Sequence, residues 1–184
     1  MNLGRFKYWF FEYHWLILFI LVLVAFILWY WIPDLHSSTF LGSAVGGAIA
    51  LSYFAMKQHL DEIRLFGELL SKFNIRYNEM NKQLYELRGD LDESREPTSD
   101  EKAFLYDYFN LCAEEYLYHR KGFIYPEVWY AWVNGMRIVF VNQQIQKLWY
   151  EELDTGSYYG LSRELWAKEL ETASHFGLKS KVLT

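Results

Sequence analysis

A chain of 184 residues, 52% apolar and 20% aromatic, is long enough for one ordinary domain and unusually rich in rings. The formal net charge is −5, and residues 57–184 carry 16 Lys+Arg against 21 Asp+Glu, which excludes the basic bias of a non-specific nucleic-acid binder. A single cysteine, Cys112, excludes an intrachain disulfide and agrees with a reducing compartment.

The first predicted element lies between Tyr13 and Ile32, 20 residues without Asp, Glu, Lys or Arg. Its core, WLILFILVLVAFILWYWI, would rise roughly 27 Å as a helix, enough to cross a bilayer core. A cleaved signal peptide fits less well, because its apolar region runs to about 7–15 residues before a small-residue cleavage site. Here the run ends instead in Trp29, Tyr30 and Trp31, followed by Pro33-Asp34. A second uncharged window, Leu35 to Met56, contains LGSAVGGAIA, and glycine is well tolerated in membrane helices. Joined by the short PDLHSST, the two windows predict a transmembrane helical hairpin over 1–56, with spans at about 13–32 and 39–56. Arg5 and Lys7 precede it, Lys57 and Arg64 follow it, and the connection has no basic residue. The positive-inside rule then predicts a multi-pass membrane protein with both termini cytoplasmic.

No proline or glycine lies between Leu51 and Phe66, so the second helix is expected to continue out of the membrane. Phe66, Leu70, Phe73, Tyr77, Met80, Leu84, Leu87 and Leu91 form a heptad seam. It predicts a long amphipathic helix over 57–91 that packs on the rest of its own chain in preference to an intermolecular coiled coil. Residues 92–100, with Pro97, read as a linker. Thr98 and Glu101 match the capping-box pattern and open a helix expected to reach about Lys121 and stop at Gly122. Pro126 suits the first turn of a short helix, PEVWYAWVNG, and another is expected from Met136 to Leu153 despite the β-branched RIVFV. DTGSYYG reads as a turn, and Ser162 caps a last amphipathic helix, SRELWAKELETA. The fold class predicted is all-α: hairpin, long helix continuous with the second span, and a cytoplasmic helical module, 101–184, packing on 57–91.

Residues with chemical potential are few. Glu115 and His119 stand at i, i+4, but one pair does not complete a metal site. His14, His36, His59 and His175 are scattered, GSAVGG is not followed by the Lys-Ser/Thr of a phosphate loop, and Cys112 sits among apolar neighbours. No catalytic residue, cofactor site or metal site is therefore expected, and the chain reads as a non-enzyme. Two features stand above this background. Gly42, Gly46, Gly47 and Ala50 give the second helix a small-residue surface, suited to seating the first helix or to forming a homo-oligomer. Glu115, in contrast to the polar stripe of Asp107, Asn110, Glu114 and Lys121, shares a helix face with Tyr108, Leu111 and Cys112. A carboxylate there needs a partner, and Arg76 is the candidate for a structural ion pair.

The segments FNIRYNEMN (73–81), YFNLCAEEYLYHRKG (108–122) and YPEVWYAW (125–132) resemble those of a family of small, largely uncharacterised bacterial proteins with two transmembrane helices. The two-span architecture is similar to that of membrane effectors in retron-type anti-phage systems. The resemblance implies a non-enzymatic effector of the bacterial inner membrane that disrupts the membrane when triggered, with the lipid bilayer and a cytoplasmic regulatory protein as partners. The alternative is a passive membrane anchor or scaffold for a cytoplasmic complex.

Overall fold

The structure, a computed structural model, describes residues 3–32, 38–91 and 95–182, apart from the side chains at 3–12, 14, 15, 17, 38, 41 and 177–182. Among the described residues there are six helices and no strand: α1 Leu3–Trp31, α2 Ser38–Asp90, α3 Ser99–Arg120, α4 Pro126–Phe140, α5 Gln143–Asp154 and α6 Arg163–Val182. The all-α class is therefore established. The expected connection at 33–37 and linker positions 92–94 lie outside the described residues. The chain divides into two compact units, Met1–Leu65 and Phe66–Thr184, with the division inside α2.

In the first unit, Leu18, Val22, Ala25 and Trp29 are the half-buried positions of α1, at the spacing of one helix face. Phe40, Ala44, Ala48, Ser52 and Ala55 form the corresponding half-buried line on α2. Leu16, Leu18, Phe19 and Val22 border an open apolar cleft of about 580 Å³ whose other wall is Val45, Ala48, Ile49 and Ser52. The Ser52 hydroxyl donates to the Ala48 carbonyl at 3.0 Å, so the polar atom at this wall is satisfied within its own helix. Helix α2 runs unbroken through Gly42, Gly46, Gly47 and Gly67, since glycine in a helix interior lowers stability without ending the hydrogen-bond ladder.

Among the described residues no helix is long and apolar enough to cross a membrane. The transmembrane hairpin with spans at 13–32 and 39–56 is thus corrected. The inner-membrane location with both termini cytoplasmic, and the lipid bilayer as a partner, fall with it.

The second unit is built on the C-terminal part of α2. Phe73, Leu84, Leu87 and Leu91 are buried, Phe66, Tyr77 and Met80 are partly so, and all belong to one apolar core with α3 to α6. Its centre is aromatic. Trp149 lies 5.0 Å from Phe109, 5.2 Å from Phe140, 5.5 Å from Tyr158 and 5.7 Å from Trp166, centroid to centroid, at the spacing where stacked, tilted and edge-on ring pairs attract.

Local chemistry explains where the helices start. Thr98 and Glu101 form a reciprocal capping box at α3: the Glu101 N–H donates to Thr98 Oγ1 at 3.3 Å and the Thr98 N–H to Glu101 Oε2 at 2.7 Å. Gly122, at φ +80°, follows its last turn, and the Phe123 N–H bonds back to the Tyr118 carbonyl. Pro126 occupies the first turn of α4. The boundary beyond it differs from the expectation, because α4 runs through Gly135 to Phe140 and α5 starts only at Gln143. Asn142 makes this break. Its Oδ1 accepts from the N–H groups of Gln144 and Ile145 at 3.0 and 3.2 Å, while its Nδ2 donates to the carbonyls of Leu91 and Arg88 at 2.7 and 3.3 Å. The Ser162 hydroxyl accepts from the Leu165 N–H at 3.3 Å and caps α6.

Candidate functional site

The densest group of chemistry-bearing side chains lies where α2 meets α3. Helical phase puts Tyr108, Leu111, Cys112 and Glu115 on the core side of α3, each no more than 5% exposed. Glu114, one residue away and about 100° round the helix, keeps 28% of its side chain exposed. Arg76 of α2 reaches this pair, and its Nη1 donates to Glu114 Oε2 at 2.5 Å. Of the two residues expected to pair, Glu115 is buried, whereas the hydrogen bond of Arg76 goes to Glu114. The guanidinium acts on Glu115 through its charge.

Burial dominates the electrostatics. It pushes the Glu115 carboxyl up to about 8; Arg76 opposes this and Glu114 reinforces it. At neutral pH Glu115 is therefore mainly protonated, a hydrogen-bond donor as well as an acceptor. Burial, then the charge of Glu115, raises the Cys112 thiol well above its ordinary value. Tyr108 is raised for the same reason, with Cys112 next, and its hydroxyl is buried without a hydrogen-bond partner of good geometry. Half-buried Tyr77 is raised by burial, Cys112 and Glu115, and lowered by Arg88. The cluster holds its protons, the opposite of an activated nucleophile.

His119 is engaged elsewhere. Its Nδ1 is 3.2 Å from the Ile124 carbonyl, its ring stacks on Trp129 at 5.2 Å and 12°, and burial lowers its pKa, which keeps the imidazole neutral. Among the described residues no group of three or more His, Cys, Asp and Glu could hold a metal ion. Gly42, Gly46, Gly47 and Ala50 are exposed, and a Cβ added at any of the three glycines would meet nothing within 4 Å. These residues are not brought into close helix contact within the described chain.

Several polar contacts escaped the reading of the sequence. Trp129 Nε1 donates to Glu169 Oε2 at 2.7 Å, Asn134 Nδ2 to the Ala173 carbonyl at 3.3 Å, and Arg137 Nη2 to Ser174 Oγ at 2.5 Å, all between α4 and α6. Asn134, Arg137 and Trp129 fall on one side of α4 at helical spacing, a pattern visible in the sequence though its partners on α6 are not.

No protein-family model matches the chain, and neither a curated protein nor a solved structure does. The resemblance to two-transmembrane-helix bacterial proteins and to retron-type effectors is corrected accordingly, as no matching family carries it and no described helix can span a membrane. The membrane-disrupting effector and the passive membrane anchor both require insertion, and both are withdrawn. The cytoplasmic regulatory partner and the homo-oligomer were parts of those readings and lose that basis.

Proposed function

We propose that this protein is a non-enzymatic structural module, acting through the folded helical bundle of residues 66–184 rather than by turning over a substrate. The observation that carries this reading is the state of the α2–α3 cluster. A thiol, a carboxyl and two phenols lie together, yet Cys112, Tyr108 and Glu115 are enclosed at 1%, 1% and 5% exposure and held protonated by burial. A nucleophile or general base needs the reverse, an accessible group whose proton leaves near the working pH.

The test is the native-state reactivity of Cys112 toward a chromogenic disulfide reagent at pH 7.5, compared with the same chain in denaturant. Reaction is expected only at the rate of unfolding, tens of times slower or more than in denaturant. Rapid stoichiometric labelling of the native chain, with no loss of helical signal, would sink the reading.

A further inference from the structure

The first unit, Met1–Leu65, keeps a large apolar surface open to solvent. Beside the half-buried line of α1 runs a second line, Leu16, Phe19, Leu23, Phe26 and Tyr30, at steps of 3, 4, 3 and 4. In α2, Ile49, Tyr53, Met56, Leu60 and Ile63 repeat the pattern at steps of 4, 3, 4 and 3. All ten side chains are between 45% and 70% exposed. At 100° per residue, each exposed line is turned by about 110–120° from the half-buried line of its own helix, so neither is used within the unit. Both lie on the same side of it, because Leu16 and Phe19 from one and Ile49 from the other line the cleft of about 580 Å³ between the helices.

A seam of this spacing is the surface that one helix offers to another, and two such seams flanking a trough make half of a four-helix bundle. We propose that this face is covered by the same face of a second copy of the chain, so that α1 and α2 of two copies complete a four-helix bundle. Area is the first argument. Ten large side chains, about half exposed, present roughly 1,000 Å², against about 300–600 Å² for the largest apolar patch of an ordinary monomer and about 800 Å² per partner in a stable interface. The second is self-complementarity. Each seam has five positions over about 21 Å, so a two-fold axis sets trough on trough and gives every seam a partner of its own length. The third is charge: no seam position carries any, so nothing on the face selects a charged, unlike partner. Bulky exposed side chains carry this assignment, which requires neither membrane insertion nor the small residues Gly46 and Gly47.

The experiment is sedimentation velocity in aqueous buffer on the full chain at micromolar concentration, for wild type, Phe19→Glu, Leu60→Glu and Phe54→Glu, with far-UV circular dichroism to show that each is folded. Wild type should sediment as one species of twice 22.1 kDa. A glutamate on either seam puts an unpaired charge inside the interface and should weaken self-association on the order of a hundredfold or more, leaving a monomer. Phe54 is exposed but lies off the seam, so Phe54→Glu should leave the dimer intact. The proposal is overturned if wild type is a monomer, which would leave the face to a different protein or to an apolar ligand, or if it forms a polydisperse aggregate. It is equally overturned if both folded seam variants stay dimeric, or if Phe54→Glu dissociates the dimer as fully as they do. The wild-type mass decides on its own should a variant unfold.

Discussion

Glu115 makes the stability of the bundle depend on pH in a direction opposite to that of most carboxylates. Its folded pKa, about 8, lies above its ordinary 4.5, so the folded state holds the proton more tightly than the unfolded one. Its contribution is complete below about 4.5 and is lost as pH rises toward about 8, by at most about 5 kcal/mol when each unit is worth 1.36 kcal/mol. Glu115→Gln, neutral at every pH, should give a flatter stability profile: near wild type at pH 5 and more stable than wild type at pH 8, by thermal or urea unfolding. Equal pH slopes for the two proteins would remove Glu115 as the cause. The buried phase of Glu115 was legible in the sequence, because 100° per residue separates it from Glu114 and aligns it with Tyr108 and Cys112. Its lack of a direct bond to Arg76 was not. Choosing between neighbouring carboxyls depends on how deep each sits, and depth is a property of the packed helices rather than of helical phase.

Helix boundaries show the same division between local and long-range causes. The α3 start was readable because its signal is complete within four residues: Thr98 and Glu101 satisfy each other. Arg95 adds a two-pronged pair to Glu101 at 2.8 and 2.9 Å and, with the Thr98 bonds, holds that carboxyl at about 2. The linkage here has the usual sign, with stabilisation present above about 4.5 and lost as pH falls toward 2. The α4–α5 break was misplaced because Gly135 looked like a stop and Asn142 did not. What makes Asn142 decisive is its amide bond to the end of α2, some fifty residues earlier in the chain. Thr98→Ala should therefore cost about 1 kcal/mol, the ordinary value of a cap. Asn142→Ala should cost about 2–3 kcal/mol, since it also leaves the buried Leu91 carbonyl without that donor. Urea unfolding of the two variants orders them, and equal losses would show that the bond to α2 contributes nothing.

Over the whole molecule, the all-α class followed from helical periodicity and capping, whereas the hairpin reading went beyond what the described helices support. The tryptophans of the bundle offer a further contrast. Trp129 and Trp149 are both 0% exposed, but Trp129 Nε1 bonds Glu169 while Trp149 Nε1 is buried with no partner. Replacing either by phenylalanine leaves a comparable cavity. Only Trp129→Phe also breaks a charge-assisted bond, so it should be the more destabilising by about 1–2 kcal/mol in thermal unfolding, and the reverse order would contradict the bonding described. The buried carboxyl also alters the molecule as an electrolyte. The formal charge of −5 assigns a negative charge to every Asp and Glu, but with Glu115 neutral the native chain carries one unit less at pH 6–7, while the denatured chain carries the full count. Unfolding at that pH releases a proton to the buffer, so the heat of unfolding includes the buffer's own heat of protonation: the endotherm is smaller in an amine buffer, which binds protons exothermically, than in phosphate.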